Sequence, residues 1–294
     1  MEQSRAKLFI VATPLGNLDD LSSRAIKVLT DADLIAAEDT RRTRQLLNKF
    51  NIKTDLTSYY DQIEKGKASH LISKILDGGL NVALVSDGGT PCISDPGYQL
   101  VKLAHERGVP VVPIPGPSAV ATIASVSGLP TDRFLFVGFL PTKASHLEEE
   151  MRSWSGFVQN VVFYESPHRI ENTLDKLAEI YPDAWVTVGR ELTKLHEEIA
   201  SFPLADMKTW LAGRASEKGE FSVYASLNWK KSDAYRKDLS EEEIREIARK
   251  EFRDGRTLKE LLQWLRMSSL PKAVVYKLLL GVKAELEKEE DNFE

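Results

Sequence analysis

The densest chemical signal in the chain is the run Ser86-Asp87-Gly88-Gly89-Thr90-Pro91-Cys92-Ile93-Ser94-Asp95-Pro96-Gly97. Paired glycines let a backbone approach a ligand closely, and prolines fix the shape of the loop around it. Asp87 can accept hydrogen bonds from a hydroxyl or an amine. The plain alternative is a tight turn closed by an aspartate side chain. A second signal, Ile114-Pro115-Gly116-Pro117-Ser118-Ala119, places Ser118 where it can cap a helix. The small residues beyond it (Ala119, Ala121, Ala124, Ser125) admit either a flat ligand or a neighbouring helix. A third, Thr13-Pro14-Leu15-Gly16-Asn17, is on its own no more than a turn.

Charged groups gather in the second half. Phe163-Tyr164-Glu165-Ser166-Pro167-His168-Arg169, then Gly189-Arg190-Glu191-Leu192-Thr193-Lys194, then Lys218-Gly219-Glu220 each border a strand-like segment. A lone histidine such as His168 is more often a structural hydrogen-bonding group than a catalyst. Asp39-Thr40-Arg41-Arg42-Thr43-Arg44 opens a helix with cations, against the helix dipole. A polyanion would explain that, and so would a merely exposed arginine cluster.

Several chemistries drop out. There is no G-x-G-x-x-G and no G-x-x-x-x-G-K-[ST], which removes simple dinucleotide and P-loop readings. The five histidines have no metal-ligand spacing, so no metal site is expected. The single cysteine, Cys92, excludes an internal disulfide and a thiolate-rich cluster.

Elements able to position these loops follow from the apolar pattern. Strands are expected at Leu8–Ala12, Leu34–Ala37, Asp55–Tyr59, Val82–Ser86 and Val109–Ile114. Helices are expected over Ser22–Thr30, Arg41–Phe50, Ile63–Asp77, Tyr98–Arg107 and Ser118–Ser127. Short apolar runs alternating with helices make βαβ units and a mostly parallel sheet, whose ligands bind at the carboxyl ends of the strands. The chain then breaks after Phe134–Leu140, with Pro141-Thr142-Lys143 as a linker. Strand signals resume at Val161–Tyr164, Trp185–Val188 and Phe221–Leu227, with helices near 168–180 and 204–213. The last fifty residues read as a three-helix appendix. Ser240…Glu243 and Thr257…Glu260 fit capping boxes. Leu258, Leu261, Leu262 and Leu265 form one apolar stripe, and Val274, Val275, Leu278, Leu279 and Val282 another. The expected division is 1–140, an α/β domain with a mostly parallel sheet; 141–230, a second α/β domain; and 231–294, a helical appendix with an acidic tail.

The 294 residues carry a formal charge of −5, and residues 284–294, with six acids against one base, hold all of it. Residues 230–277 are locally basic, with 13 Lys/Arg against 9 Asp/Glu, which permits nucleic acid without demanding it. The apolar run at Leu8–Ala12 is too short for a signal peptide, and prolines interrupt the apolar region at 109–130, so no membrane partner and a cytoplasmic location are expected.

The motifs V-A-T-P-L-G-N-L-D-D at 11–20, A-E-D-T-R-R-T at 37–43, V-S-D-G-G-T-P-C-I-S-D-P-G at 85–97 and P-G-P-S-A at 115–119 fall in a recognisable order. F-Y-E-S-P-H-R-I at 163–170, R-E-L-T-K at 190–194 and K-G-E-F at 218–221 continue it. Over residues 7 to 228 the chain resembles the RsmI family. These are bacterial 16S rRNA 2′-O-ribose methyltransferases of the tetrapyrrole-methylase-like (class III) S-adenosylmethionine superfamily. Departures are small: Gly88-Gly89 in place of a commoner Asp-Ala-Gly run, Ser166 where Ala is common, and the residues after Lys194.

The resemblance implies two α/β domains with S-adenosylmethionine in a cleft between them. By motif match, Pro14, Leu15, Asp87, Gly88, Gly89, Ile93, Ser118, Ala119, Glu165 and Glu220 would line that pocket. It also implies a homodimer acting on a decoding-region cytidine of 16S rRNA in the 30S subunit. A ribose 2′-hydroxyl is a weak nucleophile, so a proton acceptor is expected. Glu165 and Glu191 are the carboxylate candidates. His168 and Lys194 are the alternatives, with Lys194 needing a depressed pKa. Arg169 and Arg190 are expected to hold phosphate, with Arg41, Arg42 and Arg44 extending the track. Rival readings are a tetrapyrrole or small-molecule methylase of the same fold, and a non-catalytic RNA-binding module. An α/β hydrolase lacks a nucleophile–base pair.

Overall fold

A computed structural model describes residues 6–155, 158–213, 218–229, 240–253, 255–258, 261–262 and 272–291. Two compact units divide at residue 227, and the first contains two five-stranded sheets.

The first sheet is built from β1 (Leu8–Val11), β2 (Leu34–Ala37), β3 (Leu56–Ser58), β4 (Val82–Val85) and β5 (Val111–Ile114), in the order β3-β2-β4-β1-β5. All its pairings are parallel. Such a sheet is covered on both faces, which is why its strands read as continuous apolar runs. In β4, Val82 and Leu84 join one core with Leu71, Ile75 and Leu100. Ala83 and Val85 join the opposite core with Leu29, Leu47 and Ile114. The helices α1 (Ser23–Asp31), α2 (Thr40–Lys49), α3 (Glu64–Leu76), α4 (Tyr98–Glu106) and α5 (Ala119–Val126) supply the cover. Ser22 caps α1 by accepting from the Ala25 amide at 3.1 Å. All ten elements expected between residues 8 and 127 are present, with ends displaced by at most two residues.

After β1 the chain crosses to β2 on one side, and after β4 it crosses to β5 on the other. Adjacent β1 and β4 therefore mark the point where the winding reverses, and a crevice opens at their carboxyl ends.

The second sheet runs β6 (Leu135–Phe139), β7 (Asn160–Glu165), β10 (Phe221–Ser226), β8 (Trp185–Arg190), β9 (Glu198–Pro203). Only β6–β7 is parallel; the other pairings are antiparallel. Its core centres on Trp154, Phe163, Leu174, Val188 and Phe221, under α6 (Ala144–Ser153), α7 (Ile170–Ile180) and α8 (Met207–Gly213). Three elements depart from the sequence expectation. β6 occupies the segment just before the expected break, to which no element was assigned. α6 and β9 lie where no element is legible: α6 buries only Leu147 and Met151, and β9 is an edge strand with one buried residue, Phe202.

The second unit contains α9 (Glu241–Arg253) and α10 (Lys272–Asp291). Ser240 and Glu243 form the expected capping box in both directions, 3.3 Å from the Glu243 amide to Ser240 Oγ and 2.9 Å from the Ser240 amide to Glu243 Oε2. Val275, Leu278, Leu279 and Val282 pack with Ile244, Ala248 and Leu261. Thr257 accepts through its carbonyl from the Leu261 amide, while Glu260 and Leu265 lie outside the described residues. Among the described residues no helix is long and apolar enough to cross a membrane.

Candidate functional site

Four loops converge where the winding reverses. Thr13 and Gly89 exchange backbone hydrogen bonds at 2.8 and 2.9 Å, so the loop after β1 is zipped to the loop after β4. Gly89 sits at φ +93°, and a Cβ there would press on Leu15. A Cβ on Gly88 would meet the Pro14 carbonyl at 3.3 Å. Thr90 Oγ1 donates to the Pro117 carbonyl at 3.0 Å, tying in the loop after β5. Asp87 accepts from the Asp39 amide at 3.0 Å and from Arg42 Nη1 at 3.1 Å, which brings the loop after β2 to the same place.

A cavity of about 650 Å³ lies against these loops, within the size range of a small-molecule site. One wall carries Leu15, Asp87, Gly88, Gly89, Ile93, Ser118 and Ala119. The other is built from the second sheet by Phe139, Tyr164, Glu165, Lys194, Glu220 and Phe221. Of the residues expected at a cofactor, only Pro14 is outside the lining; it is buried behind Gly88. Five carboxylates (Glu38, Asp87, Asp95, Glu165, Glu220) face two cations (Arg42, Lys194) around the space. That balance suits a cationic ligand, and Ile93 and Leu15 offer it apolar contact. Cys92 is not a nucleophile here: burial, with the nearby charges of Glu64 and Asp95, pushes its thiol up to about 11.

The expected proton acceptors take other work. Glu165 is 1% exposed, and both oxygens are engaged: Oε1 accepts from the Ser166 amide at 2.7 Å, Oε2 from the Thr173 hydroxyl at 2.7 Å. Glu191 Oε1 accepts from Lys194 Nζ at 2.8 Å and from the Glu220 amide at 3.0 Å. Burial works to raise its pKa, but these bonds and the charges of Lys194 and Arg190 outweigh it and hold the carboxyl low. Lys194 does not meet the requirement set for a base. Burial pulls its pKa down, yet the hydrogen bonds to Glu191 and Glu220 override it and raise the pKa, so it stays an ammonium. His168 is exposed and outside the cavity lining.

The Glu191–Lys194 pair gives a pH prediction. Glu191, held below its ordinary 4.5, contributes stability that is present above that value and lost as pH falls through the lower folded value. Lys194, raised above 10.5, contributes fully below that value and loses it as pH climbs further. Urea midpoints of the protein and its Glu191→Gln variant should therefore differ most between pH 5 and 10 and converge in acid. A gap that persists unchanged at pH 2 would show the carboxylate charge to be irrelevant.

Two arginines expected to hold phosphate are instead spent on the fold. Arg169 donates to the Leu140 carbonyl at 3.1 Å and the Pro141 carbonyl at 2.8 Å, with Glu165 at 3.2 Å. It clamps the turn between β6 and α6. Arg190, 4% exposed, donates to Glu198 at 2.8 Å and to the Lys218 and His196 carbonyls. Arg41 and Arg42 have side chains 87% and 67% exposed, paired with Asp39 and Asp87; Arg44 reaches the Thr54 carbonyl. The conflict at the start of α2 is settled locally, because Asp39 caps the helix through the Arg41 amide at 2.8 Å. Hydrogen bonding to Arg41 draws the Asp39 carboxyl down to about 2.

Ser118 stands at the N-cap of α5, but its side chain makes no capping bond. α5 packs against the second sheet as well as lining the cavity: a Cβ on Gly189 of β8 would meet Ile123 at 2.9 Å. Sequence reasoning missed Phe139, Tyr164, Asp95 and Glu38 as lining residues. The signal for Tyr164 lay in its position near the end of a strand facing the crevice.

Comparison with known proteins agrees with this arrangement. Residues 7–208 match the profile of the Tetrapyrrole (Corrin/Porphyrin) Methylases. The chain is 45% identical to a "Ribosomal RNA small subunit methyltransferase I" of Vibrio cholerae, over 82% of this chain and 83% of that protein. It is 39% identical to one of the same name from Synechocystis, over 95% and 99%. A solved uroporphyrin-III C-methyltransferase from Thermus thermophilus, complexed with S-adenosyl homocysteine, superposes with a TM-score of 0.50 at 17% identity, covering 74% of this chain and 97% of that one.

Proposed function

Because the chain belongs to the ribosomal RNA small subunit methyltransferase I family, within the tetrapyrrole methylases, it is an S-adenosylmethionine-dependent rRNA methyltransferase, and we propose that its acceptor is the ribose 2′-hydroxyl of a decoding-region cytidine in 16S rRNA, presented on the 30S subunit. The observation that carries this reading is the acid-lined cavity at the carboxyl ends of β1, β4 and β5. Carboxylates outnumber cations there even with the enclosed Glu165 set aside, which favours a sulfonium cation, and Gly88 and Gly89 let backbone approach it. A cytoplasmic homodimer, and the three-way division at residues 140 and 230, belong to the same proposal.

S-adenosylmethionine, held by Leu15, Asp87, Gly88, Gly89, Ile93, Ser118 and Ala119, would supply an activated methyl group for the 2′-oxygen, with S-adenosylhomocysteine as the product and the hydroxyl proton passing to water. The residues present act mainly by alignment, which is worth up to about 7–11 kcal/mol. Glu165 stiffens the wall at the end of β7 through the Ser166 amide and Thr173. Lys194 fixes Glu191 and Glu220 on the same wall. Neither Glu191 nor Lys194 is a ready acceptor of the leaving proton at neutral pH. The exposed guanidiniums of Arg41 and Arg42, with Arg44 behind them, would meet phosphate; their exposure supports that reading.

Mass spectrometry of 16S rRNA from cells lacking this protein should show one ribose methyl missing and restored by the gene. In vitro, methyl transfer should go to 30S subunits. Transfer to a tetrapyrrole with none to 30S would move the chain to the rival acceptor class. Failure to bind S-adenosylmethionine would leave only an RNA-binding role.

A further inference from the structure

Phe139 is the most conspicuous apolar side chain of the cavity. It ends β6, is 63% exposed, and lines the cavity from the second-sheet side. Single exposed apolar side chains are ordinary on a protein surface; what sets Phe139 apart is that its exposed ring stands in the lining of the cavity, next to a second aromatic ring.

Its placement has a specific cause. β6 pairs with β7 at Phe136↔Val162, then Gly138↔Phe163 and Phe139↔Tyr164, so one residue is extra between Phe136 and Gly138. In an unbroken strand, residues three apart face opposite ways. The bulge, with Gly138 at φ +67°, turns Phe139 back to the face of Phe136. Both rings then meet Tyr164 edge-on, at 5.2 Å from Phe136 and 5.5 Å from Phe139. Burial, reinforced by the Asp95 charge, pushes the Tyr164 phenol up to about 12, so it stays neutral. The loop from β4 abuts the bulge: a Cβ on Gly138 would strike Ser94 Oγ at 2.6 Å. Phe139 is thus braced by Tyr164, while its own face is left open beside the Ser94–Asp95 end of the loop.

We propose that the Phe139 ring is the stacking platform for the base of the acceptor nucleotide once that nucleotide is swung out of its helix. This rests on the proposed rRNA acceptor. A base outside its stack needs an aromatic face to replace its lost neighbours. The platform is on the wall opposite the glycine turn, which leaves that turn to the cofactor. Ring-on-base stacking is tolerant of base identity, so the contact holds the nucleotide in place and aims its ribose without reading its sequence.

The test uses the full-length protein and 30S subunits lacking the methyl group. Phe139→Ala should lower kcat/KM for 30S by about 10–100-fold, leave S-adenosylmethionine affinity by calorimetry within about twofold, and leave the thermal midpoint nearly unchanged. Phe139→Trp should recover most of the rate. Unchanged turnover in Phe139→Ala, with the parent active, overturns the platform. A loss of S-adenosylmethionine binding in Phe139→Ala assigns the ring to the cofactor and also overturns it. An inactive parent protein on 30S would instead sink the acceptor proposal itself.

Discussion

Glu165→Ala should unfold at much lower denaturant, with a loss of about 3–5 kcal/mol. The Glu165 side chain is fully enclosed, and three groups depend on it: the Ser166 amide, the Thr173 hydroxyl and the Arg169 guanidinium. Deleting the carboxylate leaves a hydroxyl and an amide without their acceptor in a buried place, and a cation without its counter-charge. Arg169 also holds the carbonyls of Leu140 and Pro141, so loosening it frees the strand-to-helix passage after β6. Glu165→Gln keeps the shape but loses the charge, and should cost roughly half as much. Urea denaturation of the two variants at neutral pH measures both. A loss under about 1 kcal/mol for the alanine variant would show that the enclosed carboxylate carries little of the fold.

Gly97→Ala should damage both stability and ligand binding. Gly97 adopts φ +140°, where a side chain is strained, and a Cβ would lie 2.5 Å from Cys92 Sγ and 2.8 Å from Leu84 Cδ2. Backbone strain of about 1–3 kcal/mol and overpacking of similar size act together. The strain cannot be relieved by sliding the loop, because Glu64 Oε1 receives the Gly97 and Gln99 amides at 2.9 and 3.0 Å and the Tyr59 hydroxyl at 3.2 Å. The outlet is the loop upstream, through Ile93 and Ser94, which lines the cavity. S-adenosylmethionine affinity is expected to fall more than about tenfold, an amount equal to ~1.4 kcal/mol, alongside a lower thermal midpoint. Calorimetry and a melting curve on one preparation check both; a destabilised variant with unaltered affinity would show that the loop is insulated from its end.

Much of this was legible in the chain. β1 and β4 announce themselves because a strand covered on both faces must be apolar throughout, and the loops after them carry glycine and proline where a ligand needs backbone. The second sheet was harder. β9 alternates between solvent and core with only Phe202 buried, and α6 reads as a polar run because Leu147 and Met151 suffice to seat it. For Arg169 and Arg190 the residue type was informative and its use was not. A guanidinium suits phosphate and carbonyl oxygens equally, and only the fold decides which oxygens come within reach. The condition set for Lys194 as a base, a depressed pKa, could not be judged from the chain, because Glu191 lies three residues away but Glu220 lies twenty-six away, and both hydrogen-bond its ammonium. Phe139 escaped notice because its orientation depends on a bulge that no local pattern reveals.

The paired amides of Thr13 and Gly89, with Asp87 gripping the backbone of Asp39, make three separate turns into one mechanical piece. An inserted residue in any one of them could not be taken up locally; it would have to be matched by a change in the others. The spacing within these turns is therefore under joint constraint, and homologous chains should vary there in side chain far more readily than in length.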